Sequence, residues 1–168
     1  DDNAIYDDGE WITWTEINSH LARLEFQARF PNLDIELVPI FQDLLTTAGD
    51  YYDLTGRHLQ VYGDLGELYG AIVYGIKLHK NYAQGSDGKL GDHFVEVKTI
   101  TPFKSSDTIT LNLKRNFSKV LIVKIDNHFE VQGKLIDRKT LPKVKGDTLR
   151  LNWDDFPSES EGRIIGRD

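Results

Sequence analysis

Apolar residues along this chain change their period once, near residue 80. Before that point they recur at helical spacing. Thr13 and Glu16 have the separation of a capping box, Ile17, Leu21, Leu24 and Ala28 fall on one face, and Pro31 closes the run, so the pattern predicts an amphipathic helix over 13–30. A second helix is expected from about Pro39, with Ile40, Leu44, Ala48 and Tyr51 on its apolar stripe and Gly56 at its end. A third follows, with Asp64 as N-cap and Leu65, Leu68, Ile72 and Ile76 facing the core. It carries Gly66, Gly70 and Gly75, and each interior glycine costs roughly 1 kcal/mol relative to alanine, which points to close packing against a neighbouring backbone.

Beyond residue 80 the period shortens to two. HFVEVKTIT, residues 93–101, alternates and is rich in β-branched side chains, the pattern of a half-buried strand. Further strands are expected over 108–113, 119–125, 129–136 and 147–151. Helices followed by strands indicate α+β or mixed α/β organisation in a single domain spanning 1–168. Its parts are a helical segment over 13–78, a sheet core over 85–151 and an acidic, loosely held tail over 152–168.

Composition removes several function classes. There are no cysteines, so disulfides, thiolate metal sites and cysteine nucleophiles are absent together. The five histidines show no zinc-ligand spacing, and no GxxxxGK[ST] phosphate loop occurs. The chain contains no apolar run long enough to span a bilayer, and its acidic start does not read as a secretory signal, so a cytoplasmic location is expected. The net charge of -7 disfavours coating nucleic acid by global attraction, and leaves room only for local contact.

The chemistry concentrates in GSDGKLGDHFVEVKTITP, residues 85–102. On an extended strand Phe94, Glu96, Lys98 and Ile100 point to one side and Val95, Val97 and Thr99 to the other. An acid and a base then lie side by side among apolar neighbours, costly unless they pair or hold a metal. Asp87, nine positions before Glu96 across a glycine-rich bend, can meet it at one end of a hairpin, with Asp92 as a second choice. Hard carboxylate oxygens are the donors that Mg²⁺ takes. Alternatives stand beside this reading. Glu96 and Lys98 also fit a surface ion pair, Ser86-Asp87-Gly88 an ordinary Asx turn, and Glu67 a capping box with Asp64.

The acid at 87 followed by Glu96-Val97-Lys98 resembles the motif of the PD-(D/E)XK, restriction-endonuclease-like nuclease superfamily, with Ser86 where the motif's proline usually stands. The similarity covers mainly residues 64–125. It implies a mixed central sheet flanked by helices and a Mg²⁺-dependent phosphodiester hydrolase, with Mn²⁺ as substitute, acting on nucleic acid, foremost as an endonuclease on duplex DNA. Under that resemblance Asp87, Glu96 and the Val97 carbonyl hold the metal, Lys98 positions the attacking water or stabilises developing charge, and Glu67 adds a carboxylate from the preceding helix. Lys89, Lys104, Lys114 and Arg115 are the candidate phosphate contacts, and a homodimer is plausible for an enzyme cutting two strands. The rival reading is a module that kept the fold, binds nucleic acid or protein, and has lost catalysis.

Overall fold

The computed structural model describes residues 4–7, 9–31, 34–80, 85–157 and 166. It is an α+β fold. A short antiparallel pair, β1 (Ala4–Asp7) and β2 (Glu10–Thr13), leads into helix α1 (Trp14–Arg29). Helices α2 (Leu37–Thr55) and α3 (Tyr62–Tyr74) follow. The strands are β3 (Lys77–Leu78), β4 (Gly88–Leu90), β5 (His93–Ile100), β6 (Thr108–Asn112), β7 (Lys119–Ile125), β8 (Val131–Asp137) and β9 (Thr148–Asn152).

Five of them form one mixed sheet in the order β3-β4-β5-β7-β8, antiparallel throughout except for the central β5–β7 pair, which is parallel. The remaining two, β6 and β9, pair with each other as a separate antiparallel ribbon. The sheet therefore has two different coats. Leu121, Val123, Val95 and Val97 pack on one face against Phe41 and Leu45 of α2 and Leu65, Tyr69 and Ile72 of α3. Val120, Ile122, Ile100 and Ile136 pack on the other against Ile109, Leu111, Leu149 and Leu151 of the ribbon. β7, covered on both faces, reads KVLIVKI, the near-continuous apolar run that a doubly buried strand requires.

A mixed central sheet with the N-terminal helices packed on one side is the expectation, and α2 and α3 do cover one face; the other is covered by strands, because the connection from β5 to β7 runs through β6. The capping box of Thr13 with Glu16 forms in both directions. The expected apolar stripe of α1 does not find the core, since Leu21 and Leu24 are about half exposed. In α2 the buried face is Val38, Phe41, Leu45 and Ala48, rotated from the expected one, and Ile40 is exposed. The expected N-cap of α3, Asp64, lies inside the first turn, and Val61 holds the cap position without a side-chain hydrogen bond.

Gly75 ends α3 in the left-handed conformation, φ 73°, rather than lying inside it. Gly66 and Gly70 do mark close packing, but against side chains. A Cβ on Gly66 would collide with Thr99 of β5, and one on Gly70 would come within 2.8 Å of Leu121 of β7. The start of the expected loose tail is docked. Trp153 is buried, and its carbonyl and that of Phe156 accept hydrogen bonds from the buried Lys134 ammonium at 2.8 and 2.7 Å. Residues 158–165, 167 and 168 of the tail lie outside the described ones. Among the described residues no helix is long and apolar enough to cross a membrane.

Gly88 is the tightest point next to the chemistry. A Cβ there would lie 2.8 Å from the Lys77 carbonyl oxygen and 2.7 Å from an Ile76 methyl, so β3 and β4 can lie together only if the residue after Asp87 lacks a side chain. Gly88→Ala is expected to cost about 1–3 kcal/mol by urea unfolding, as overpacking does. A change within about 0.5 kcal/mol of wild type, the usual surface range, would show that the strands separate freely there.

Candidate active site

β4 and β5 form an antiparallel hairpin in which Gly88 faces Val95. Continuing that register by one residue sets Asp87 opposite Glu96. The Asp87 backbone extends the ladder on both sides: its N–H donates to the Val95 carbonyl at 3.0 Å, and its carbonyl accepts from the His79 N–H at 3.1 Å. Its side chain then does what a longer β4 would have done, accepting the Val97 N–H through Oδ2 at 2.7 Å. Sequence reasoning places the two acids at one end of a hairpin, and the structure brings them there.

Glu96 is only 3% exposed because β5 lies inside the sheet and its face is covered by the second core. An ionised carboxylate in such a place needs cations. Two are supplied. Arg115, from the β6–β7 loop, donates through Nε to Glu96 Oε2 at 2.8 Å while its Nη2 lies 3.5 Å from Asp87 Oδ1, so one guanidinium bridges both acids. Lys98 Nζ stands 3.5 Å from Glu96 Oε1. Burial, then the charge of Asp87, push the Glu96 carboxyl above its ordinary range, against the opposing pull of Arg115 and Lys98.

Glu67, on the second turn of α3, belongs to the same electrostatic group. Its carboxyl is pushed up to about 7, by burial first and then by the charges of Asp87, Asp64 and Glu96. The capping alternative falls away, since the α3 N-terminus has no side-chain cap. Asp92 is exposed in the β4–β5 turn.

The loop that carries Arg115 is held by another arginine. Arg138 donates to the carbonyls of Leu113, Arg115 and Phe117 at 2.6, 2.9 and 3.2 Å and lies over the Phe117 ring. Arg115, expected to meet phosphates, thus points inward to the acids. The other expected phosphate contacts have local partners: Lys89 sits over the Phe94 ring, Lys104 donates to the Thr108 carbonyl, and Lys114 pairs with Asp147 at 3.3 Å. Arg138 escaped sequence reasoning. It opens RKTLPKVK, residues 138–145, four cations without an acid, and that run was the available signal.

The donors fit a hard divalent cation. Asp87 and Glu96 offer oxygen only, and both carboxylates already reach a single cationic group, the Arg115 guanidinium, which stands where a metal would neutralise them. Among the described residues no three His, Cys, Asp or Glu side chains cluster tightly enough to form a complete metal site, so any ion held by Asp87 and Glu96 would need a backbone carbonyl and waters as further ligands.

The raised Glu67 carboxyl makes stability depend on pH. A folded-state value of about 7 against an ordinary 4.5 means that the folded chain keeps a proton which the unfolded chain releases. This contribution leaves stability unchanged below about pH 4.5, lowers it as pH rises towards about 7, and is constant above. In chelator-treated protein, urea midpoints across this window are expected to fall less steeply for Glu67→Gln than for wild type. Parallel slopes would assign the titration elsewhere.

No protein-family model matches the chain, and no curated protein shows significant sequence similarity to it, so the chemistry has to be read from these side chains.

Proposed function

We infer that the protein is a metal-dependent nuclease of PD-(D/E)XK type with a restriction-endonuclease-like core, hydrolysing phosphodiester bonds in nucleic acid and acting as an endonuclease on DNA. The observation that carries this reading is the convergence of Asp87 and Glu96 on one cationic group with the Lys98 ammonium 3.5 Å from Glu96.

Asp87, Glu96 and the Val97 carbonyl would hold Mg²⁺, or Mn²⁺ in its place. Such an ion supplies neutralisation of phosphoryl charge and a water of lowered pKa. The protein's own groups do the rest. Lys98, about one-third exposed, would hold the attacking water and stabilise negative charge on the phosphate oxygens. Glu67, with a carboxyl near 7, can take up and release a proton close to neutral pH. The buried flank of Glu96 restricts solvent on one side and strengthens each charge interaction there. Arg115 neutralises the two acids, and a divalent ion would have to compete with its guanidinium for the same oxygens.

That same bridge favours the second reading, a binding module without catalysis, in which Arg115, Asp87 and Glu96 form a permanent ion-pair network. Cleavage assays separate the two. Supercoiled plasmid, linear duplex and single-stranded DNA, incubated with Mg²⁺ or Mn²⁺, are expected to be cut. Lys98→Ala should slow cleavage by about 10²–10³-fold, the scale for losing one charge-stabilising donor. Glu96→Ala should abolish it, with folding checked by circular dichroism. Cleavage that persists in Glu96→Ala, or none by the folded wild type with either metal, would overturn the nuclease reading.

A further inference from the structure

A cavity of about 700 Å³ opens on the far side of the loop that carries Arg115. Its walls are apolar, with Leu113 and Phe117 from that loop and Leu141 beyond β8. Its rim is cationic, with Lys139 and Lys143 from the RKTLPKVK segment. Asp137 is the single acid in the lining, and Lys119 already neutralises it at 2.6 Å. In a chain of net charge -7, this segment places four cations in eight residues with no acid among them. Lys139, Lys143 and Lys145 are exposed.

The cavity and the candidate active site share a wall. Arg138 fixes the loop through the carbonyls of Leu113, Arg115 and Phe117, so that Arg115 faces Asp87 and Glu96 while Leu113 and Phe117 face the cavity. His93, also in the lining, starts the strand that carries Glu96 three positions later, a separation of roughly 10 Å at about 3.3 Å per strand residue. Two regions so close can be spanned by neighbouring nucleotides of one strand.

We propose that this cavity, between the Leu113–Phe117 loop and the 138–145 segment, binds an unpaired nucleotide of the strand being cut, with the base against the apolar walls and its phosphates at Lys139, Lys143 and Lys145. The proposal rests on the nuclease reading and deepens it by naming single-stranded segments, such as overhangs or flaps, as the preferred substrate. Volume and lining both fit: small-molecule sites occupy roughly 300–1,000 Å³ with mainly apolar walls and a few placed polar groups. An unpaired base can leave the stack and enter an apolar recess, whereas a paired one is held inside the duplex. The lysines supply the local phosphate attraction that the whole chain, being acidic, does not.

The test is fluorescence anisotropy in EDTA, where no cleavage occurs, with a labelled oligo-dT, a duplex of the same length and an abasic oligomer of equal charge. Wild type is expected to bind oligo-dT more tightly than either of the others. The Lys139→Glu, Lys143→Glu, Lys145→Glu triple variant, all at exposed positions, should weaken oligo-dT binding about tenfold or more and reduce the slope of log affinity against log salt by about 2, at roughly 0.7 per lost phosphate contact. Equal affinity for the abasic oligomer would overturn base binding in the cavity. Unchanged affinity and slope in the triple variant would overturn the site altogether. Failure here is distinct from failure of the nuclease reading: cleavage with lysine-independent binding sinks this proposal alone, and lysine-dependent binding by a protein that never cleaves overturns the catalytic reading and with it the substrate preference, leaving nucleotide binding in the cavity.

Discussion

An ionised carboxylate inside a sheet has to be neutralised within a few ångströms, and Glu96 imposes that condition on everything around it. At 3% exposure it cannot rely on water, and removing one partner of such a buried pair typically costs about 3–5 kcal/mol. The structure meets the condition with Arg115 at 2.8 Å and Lys98 at 3.5 Å. Arg115 can reach Glu96 only because the β6–β7 loop is shaped by Arg138, and that loop exists only because the β5–β7 crossover passes through β6 and not through a helix. Local charge balance and strand connectivity are thus one problem with one solution.

The arrangement poses a choice between two uses of the same atoms. A network of two acids and two cations is a self-sufficient structural element. Under the nuclease reading it would instead be a site in which an arginine occupies the place of a divalent ion. Glu67 weighs on the second side. A carboxyl lifted to about 7 by burial and by Asp87 holds a titratable proton beside the two acids, which a purely structural ion-pair network does not need. Groups shifted in this way cluster at functional sites more often than elsewhere.

Much of the fold was legible in the sequence. The period change near residue 80, the Thr13 capping box, and β5, β7 and β9 follow from patterns of 3.6 and 2 with turn residues between them. So did the pairing of Asp87 with Glu96, since a nine-residue spacing across a tight glycine turn leaves a hairpin few other registers. The illegible parts depend on contacts distant in sequence. Helical periodicity gave α1 an apolar stripe but does not reveal that Leu21 and Leu24 lack a partner surface among the described residues. The two-residue β3 is too short to carry any period. Arg115 reads as a candidate phosphate contact, because nothing local shows that a loop 19 residues after Glu96 folds back over it.

The side chain of Asp87 serves two masters with its two oxygens. Oδ2 holds the Val97 amide in place of a missing strand residue, and Oδ1 faces the arginine. Replacement by asparagine preserves an acceptor for the amide while deleting the charge, whereas alanine deletes both. Mechanical and electrostatic duties at this position are therefore separable by chemistry, and an inactive alanine variant alone reports on neither.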